Sequence, residues 1–271
     1  MIRSIHLINY SLRFTLRQLK LLEKIRMPQI YLVRHGQASF GSQNYDQLSE
    51  LGYQQARHLG RWWGARELKV SRVVTGKMLR HLQTAHTCMA ELQEIECDQL
   101  NTAQWQSDAA FNEYNHHEVL ARHVPAFGDP KEVKRFLIET PNGKHEFQDI
   151  FAQAIARWMS GSFDLEYSET WLAFRQRCVA ALERQIGQPE PVKNIVIFTS
   201  GGTISALCQH VLGFPDSRLA ELNWSLVNSA VTRFHLQDSV SIEKPAKLAL
   251  AYLNNFSHLE QINQVGLITY V

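Results

Sequence analysis

Apolar residues run along this chain in two rhythms. Ile30 to Val33 and Asn194 to Thr199 are short, nearly unbroken apolar runs, the pattern of strands buried on both faces. Val70 to Thr75, with three valines, predicts another strand, and Val231 to Leu236 and Leu248 to Leu253 predict two more. Between them the spacing lengthens to three and four. Leu48, Leu51, Gln55 or Ala56, Leu59 and Trp62 or Trp63 share one helical face, with Ser49 placed as its N-cap. Met78 to Ile95 predicts a second long helix. A third carries Phe147, Ile150, Phe151, Ala154, Ile155 and Trp158 and ends at Gly161; a fourth carries Trp171, Phe174, Cys178, Ala181 and Leu182 and ends at Gly187. Ser200-Gly201-Gly202 leads from the strand at 194–199 into a helix over Thr203 to Leu212. Residues 98 to 145 lose this periodicity and gather His, Pro, Gly and Asp, which predicts loop and short helices suited to a lid. Alternating strands and helices predict an α/β layered sheet, whose ligands gather outside the carboxyl ends of the strands.

Composition sets the scale of the core. With 271 residues, 45% hydrophobic and 10% aromatic, the chain can bury a sizeable interior, and it reads as one domain over residues 27–271 with an insertion at about 98–170. The formal net charge of +2 conceals an asymmetry. Arg3, Arg13, Arg17, Lys20, Lys24 and Arg26 face only Glu23 in the first 26 residues, so the remainder is net negative and shows no nucleic-acid footprint. That basic segment is too short and polar to span a bilayer, and any membrane contact is confined to it as an amphipathic helix. Met27, just before Pro28 and the first strand, is read as the working start, with residues 1–26 a dispensable extension. Cys88, Cys97, Cys178 and Cys208 have neither disulfide-framework nor metal-ligand spacing, so a reducing cytoplasm is the expected compartment. Cys88, Cys178 and Cys208 fall on apolar helix faces and read as small core residues.

The chemistry concentrates at strand ends. Leu32-Val33-Arg34-His35-Gly36 sets an imidazole beside a guanidinium on a glycine turn, a combination suited to attack on a phosphate. Leu48-Ser49-Glu50-Leu51-Gly52 with Gln55-Ala56, Met78-Leu79-Arg80 with Gln83-Thr84-Ala85, Phe111-Asn112-Glu113, Ile197 to Gly202 and Asn254 to Leu259 follow in order. This ordered set, covering about Gln29 to Leu259, resembles the histidine phosphatase superfamily, the phosphoglycerate-mutase-like group.

The resemblance implies a three-layer α/β/α sandwich around a mixed, mostly parallel sheet, with an inserted helical and loop lid. It implies a small phosphorylated substrate and a metal-independent phosphomonoester hydrolase, with no cofactor. His35 would be the nucleophile that becomes phosphohistidine, and Glu113 the proton donor and acceptor. Arg34, Arg80, Ser200 and Gly201 would hold the phosphate. Guanidinium forks suit phosphate oxygens and stay charged, and helix N-termini after Gly36 and at Gly201-Gly202 would add backbone donors. Glu113 needs a pKa above the usual carboxylate value for this work.

Two positions depart from the family pattern. Ser200 stands where a second histidine is usual, exchanging a cationic hydrogen bond for a neutral one at a cost of about 1–2 kcal/mol. On this view Ser200→His raises the turnover of a weakened enzyme. Gly41 stands where asparagine is often found. His81, His116 and His117 adjoin motif residues and read as solvent-exposed polar side chains, with restored positive charge as the alternative. Trp105, Tyr114 and Arg122 lie where substrate contacts are expected. Two other functions remain open: a phosphoglycerate-mutase-like phosphoryl transfer, and a non-catalytic phosphate- or partner-binding module on the same fold.

Overall fold

The computed structural model describes residues 28–39, 46–95, 102–188, 193–237 and 247–270. The basic segment 1–26, Gly41 and Cys97 lie outside the described residues. Strand β1 (Gln29–Arg34) is followed by helix α1 (Glu50–Gly64), β2 (Arg72–Thr75) and α2 (Leu79–Ile95). Short strand β3 (Gln106–Ser107) precedes α3 (His116–His123), α4 (Pro130–Glu139) and α5 (Gly143–Met159). Then come α6 (Trp171–Ile186), β4 (Asn194–Thr199), α7 (Gly201–Leu212), α8 (Leu219–Ser225), β5 (Val231–Gln237), β6 (Lys247–Asn255) and α9 (Ser257–Glu260).

The six strands form one sheet in the order β3-β2-β4-β1-β5-β6. The first four run parallel, β5 is antiparallel to β1, and β6 is antiparallel to β5. Register matches β1 to β4 residue for residue, from Gln29 with Asn194 to Arg34 with Thr199. The two-residue period of a strand then divides each central run between two layers. Ile30, Leu32, Val74, Ile195, Ile197 and Phe234 face α6 and α7, while Tyr31, Val33, Val73, Val196, Phe198 and Val231 face α1 and α2. Burial on both faces explains why these strands are apolar throughout instead of alternating. Each fully buried Leu, Ile or Phe side chain contributes about 1.5–3 kcal/mol relative to exposure.

The helices follow the residues that predict them. Ser49 caps α1, its hydroxyl accepting the Gly52 N–H at 3.1 Å. Such a cap is worth about 1 kcal/mol. Asn115, Asp129 and Thr170 cap α3, α4 and α6 in the same manner. The unpatterned stretch is more ordered than its composition predicts, because Asp129-Pro130 starts α4 and β3 adds an edge strand beside β2. Helices α3 and α5 pack on the α6–α7 side of the sheet through Val119, Leu120, Ile155 and Trp158. Cys88, Cys178 and Cys208 are buried, and burial pushes the Cys178 and Cys208 thiols up to about 12. Among the described residues, no helix is long and apolar enough to cross a membrane.

Candidate active site

Parallel register carries the site. The His35 N–H donates to Thr199 O at 2.9 Å, extending the β1–β4 ladder one step, so His35 and Ser200 leave the sheet side by side. The Gly76 N–H bonds Phe198 O at 3.0 Å and brings the end of β2 level with them. Here Gly36 crosses Gly52 so closely that a Cβ on Gly36 would stand 2.4 Å from Gly52 O. Only glycine admits that backbone approach.

The state of His35 follows from its neighbours. Nδ1 lies 2.7 Å from Gly36 O, which can only accept, so Nδ1 bears the hydrogen. Arg80 Nε, a donor only, lies 3.2 Å from Nε2, so Nε2 presents its lone pair. Both contacts specify one neutral tautomer. Burial holds the ring's pKa well below 6.5, and the charges of Arg80 and Arg34 and the nearby His81 push the same way. The Asn228 side-chain amide and the Ser229 N–H both donate to His35 O at 3.2 Å and anchor its backbone.

Arg80 comes from the first turn of α2 and is 4% exposed. Its Nη1 donates to Asp46 Oδ1 at 2.7 Å, and the other oxygen of Asp46 accepts the Leu79 N–H at 2.8 Å. Arg34, at the end of β1, donates through Nη1 to Leu226 O. Gly201 opens α7 beside it, since a Cβ there would stand 3.5 Å from Arg34 Nε. Glu113 reaches the same helix from the other side, its Oε2 accepting the Gly202 N–H at 3.0 Å. Burial raises the Glu113 carboxyl above 4.5, against the opposing pull of the Gly202 N–H, Arg80, the Tyr114 N–H and Arg34. Arg177 braces this loop, donating to Ala110 O and Asn112 O at 2.9 Å while ion-paired with Glu169.

Several expectations need correction. Among the described residues no helix follows Gly36 directly: Gln37–Ser39 are not helical, α1 begins at Glu50, and the Gly36 N–H is taken by Thr84 Oγ1 at 3.0 Å. His81 is 0% exposed and lies 2.6 Å from Ser200 Oγ through Nε2, because its place on α2 turns it inward behind Arg80. His116 is partly buried, with its ring centroid 4.2 Å from that of His117, and burial, His117 and Arg80 lower its pKa to about 3. Trp105 packs its ring at a tilt against His86, centroids 4.8 Å apart, with the α1–α2 layer, and Arg122 pairs with Glu118 on α3. Tyr114, by contrast, lines an apolar cleft with Ile155, Trp158, Trp171, Asn223 and Trp224 beside Gly202. Asp46, Asn228 and Ser229 had no signal in spacing or motif, because only folding brings them beside Arg80 and His35. His81 follows Arg80 directly and Thr84 lies one helical turn beyond it, and this closeness to Arg80 was the available signal. Among the described residues, no three His, Cys, Asp or Glu side chains converge as a metal site.

Comparison with known proteins agrees with this fold. A phosphoserine phosphatase from Entamoeba histolytica, solved with phosphoserine, aligns with TM-score 0.54 at 17% identity over 86% of this chain and 100% of its own. A phosphoglycerate mutase from Bacillus anthracis aligns with TM-score 0.55 at 16% identity over 88% and 97%. A mycobacterial glucosyl-3-phosphoglycerate phosphatase, solved with VO3, aligns with TM-score 0.50 at 18% identity over 84% and 98%. At these identities the likeness concerns the fold. No curated protein matches the chain significantly by sequence. The family model for the histidine phosphatase superfamily (branch 1) matches residues 30–124 and 117–242, most of the chain, and on that match the protein belongs to the histidine phosphatase superfamily.

Proposed function

We propose that this protein is a phosphomonoester hydrolase that works without a metal through a phosphohistidine on His35. The observation that carries the reading is the pair of contacts on the His35 ring, Nδ1 at 2.7 Å from Gly36 O and Nε2 at 3.2 Å from Arg80 Nε, which together assign a neutral ring with its lone pair on Nε2. A nucleophile held this way needs no deprotonation before it attacks. In the first step Nε2 bonds to phosphorus, the phosphorus–oxygen bond to the alcohol breaks, and Glu113 gives its proton to the departing oxygen. Water then attacks the phosphoryl group, Glu113 takes the water proton, and the phosphorus–nitrogen bond breaks to release phosphate. The raised pKa of Glu113 supports this double duty.

Arg80 turns its fork from Nε2 to the phosphoryl oxygens as the substrate enters, while Asp46 keeps its other end in place. Arg34 and the N-terminus of α7 at Gly201 supply further positive potential. On this reading residues 27–271 form one catalytic domain, with the insertion at about 98–170 closing over the site and residues 1–26 dispensable.

The test is phosphate release from p-nitrophenyl phosphate, phosphoserine, sugar phosphates and phosphoglycerate in excess EDTA, for wild type and His35→Ala. Turnover by the wild type alone, with an acid-labile phosphoenzyme, is expected. Turnover retained in His35→Ala sinks the mechanism; isomerised phosphoglycerate without free phosphate makes the protein a mutase; binding without turnover makes it a binding module.

A further inference from the structure

Behind His35 lies a second imidazole that the mechanism above does not use. His81 and Ser200 are both 0% exposed, joined Nε2 to Oγ at 2.6 Å, and the His81 ring centroid is 5.7 Å from that of His35. The protein makes room for this ring, since a Cβ on Gly76 would stand 2.2 Å from His81 Nδ1. Ser200 is the N-cap residue of α7, yet its hydroxyl makes no capping bond to that helix. An N-cap serine ordinarily accepts a backbone N–H of the first turn. Here the oxygen is engaged by His81 instead.

The direction of the His81–Ser200 bond follows from the other ring nitrogen. Nδ1 has no hydrogen-bond partner among the described residues. Were the hydroxyl the donor to Nε2, Nδ1 would carry a buried hydrogen with nothing to receive it, and orphaned N–H donors are rarer than orphaned acceptors. With Nε2–H donating to Oγ, Nδ1 is a bare lone pair and the hydroxyl keeps its own hydrogen to give elsewhere. Across from it, at the matching strand end, is His35.

We propose that His81 is a positioning residue for phosphoryl transfer at His35: its Nε2–H holds Ser200 so that the hydroxyl hydrogen is presented to a phosphoryl oxygen. The pair thereby supplies, with two neutral side chains, a donor at the end of β4. This rests on the phosphohistidine reading for its kinetic consequence, but the arrangement of the pair is a separate claim.

The experiment compares wild type, His81→Leu, His81→Gln, Ser200→Ala and the Leu–Ala double variant, with p-nitrophenyl phosphate turnover and orthovanadate binding as readouts. His81→Leu and Ser200→Ala each lower kcat about 10- to 100-fold with KM little changed, as removal of a transition-state donor does. The double variant falls no further than either single, since both delete one device. His81→Gln, whose amide keeps a donor near the same place, retains kcat within about threefold. Wild-type kcat in His81→Leu, multiplicative losses in the double variant, or a His81→Gln as poor as His81→Leu overturns the proposal. If the wild type turns over no ester, the hydrolase reading fails and orthovanadate alone decides. Equal weakening of binding by about five- to tenfold in His81→Leu and Ser200→Ala, spared in His81→Gln, upholds the pair; unchanged binding overturns it. Should His81→Leu fail to fold, Ser200→Ala and His81→Gln still decide: Ser200→Ala at wild-type kcat and binding, or a ten- to hundredfold loss in His81→Gln, overturns the proposal.

Discussion

Replacing Ser200 by histidine tests the placement of His81 directly. From family pattern alone this change restores a usual residue and raises turnover. The structure reverses the expectation, because Ser200 is 0% exposed and its hydroxyl already lies 2.6 Å from His81 Nε2. A second imidazole must displace the first, and overpacking of this kind costs about 1–3 kcal/mol. For a chain of this size each kcal/mol moves Tm by about 2–4 °C, so Ser200→His is expected to melt about 2–12 °C lower. Its kcat falls as well, because the displaced His81 presses on Arg80, the neighbouring residue on α2. Removing the first ring relieves the crowding: the double variant His81→Ala, Ser200→His regains most of the lost Tm. Scanning calorimetry and p-nitrophenyl phosphate turnover on the three proteins provide the measurement. A Ser200→His protein that melts within 1 °C of wild type and turns over faster, with His81 still present, refutes the reasoning.

Three further outcomes concern Glu113 and His258. Glu113→Gln cannot protonate a leaving oxygen, so alkyl phosphates lose about 10²–10⁴-fold in kcat while p-nitrophenyl phosphate, whose leaving group needs no proton, loses under about tenfold; equal losses on both remove Glu113 from the acid role. In the wild type the alkaline limb of kcat/KM is set by Glu113, whose burial raises its pKa above 4.5: activity falls as pH rises through that raised value, and the limb vanishes in Glu113→Gln. His258 is buried against Ser229 Oγ at 2.7 Å, and burial lowers its pKa from 6.5 to about 3. The unfolded chain therefore binds the extra proton between those values, so this contribution is complete above pH 6.5 and shrinks as pH falls toward 3. From pH 6.5 to 5 the loss is about 2 kcal/mol. Denaturant titrations should show His258→Gln losing less stability over this interval than wild type by that amount; parallel slopes would show that His258 is charged in the folded protein.

The order of strands and helices was legible in the sequence because it depends on local periodicity. A run such as Ile195 to Phe198 is apolar at every position only if both faces are covered, and Ser49 caps α1 through atoms three residues apart. The fold class and the strand-end position of His35, Arg34, Ser200 and Gly201 follow from that order, since parallel strands place their carboxyl ends on one edge. Register decided the rest. Asp46 meets Arg80, Asn228 meets His35 O, and His81 turns inward to Ser200 only after the sheet has closed and α2 has packed across it. Those contacts join residues 34, 193 and 119 positions apart, and nothing local distinguishes an inward histidine from an outward one beside an arginine. Which nitrogen of His35 carries its hydrogen, and how far burial moves each pKa, are likewise set by neighbours that arrive from distant segments.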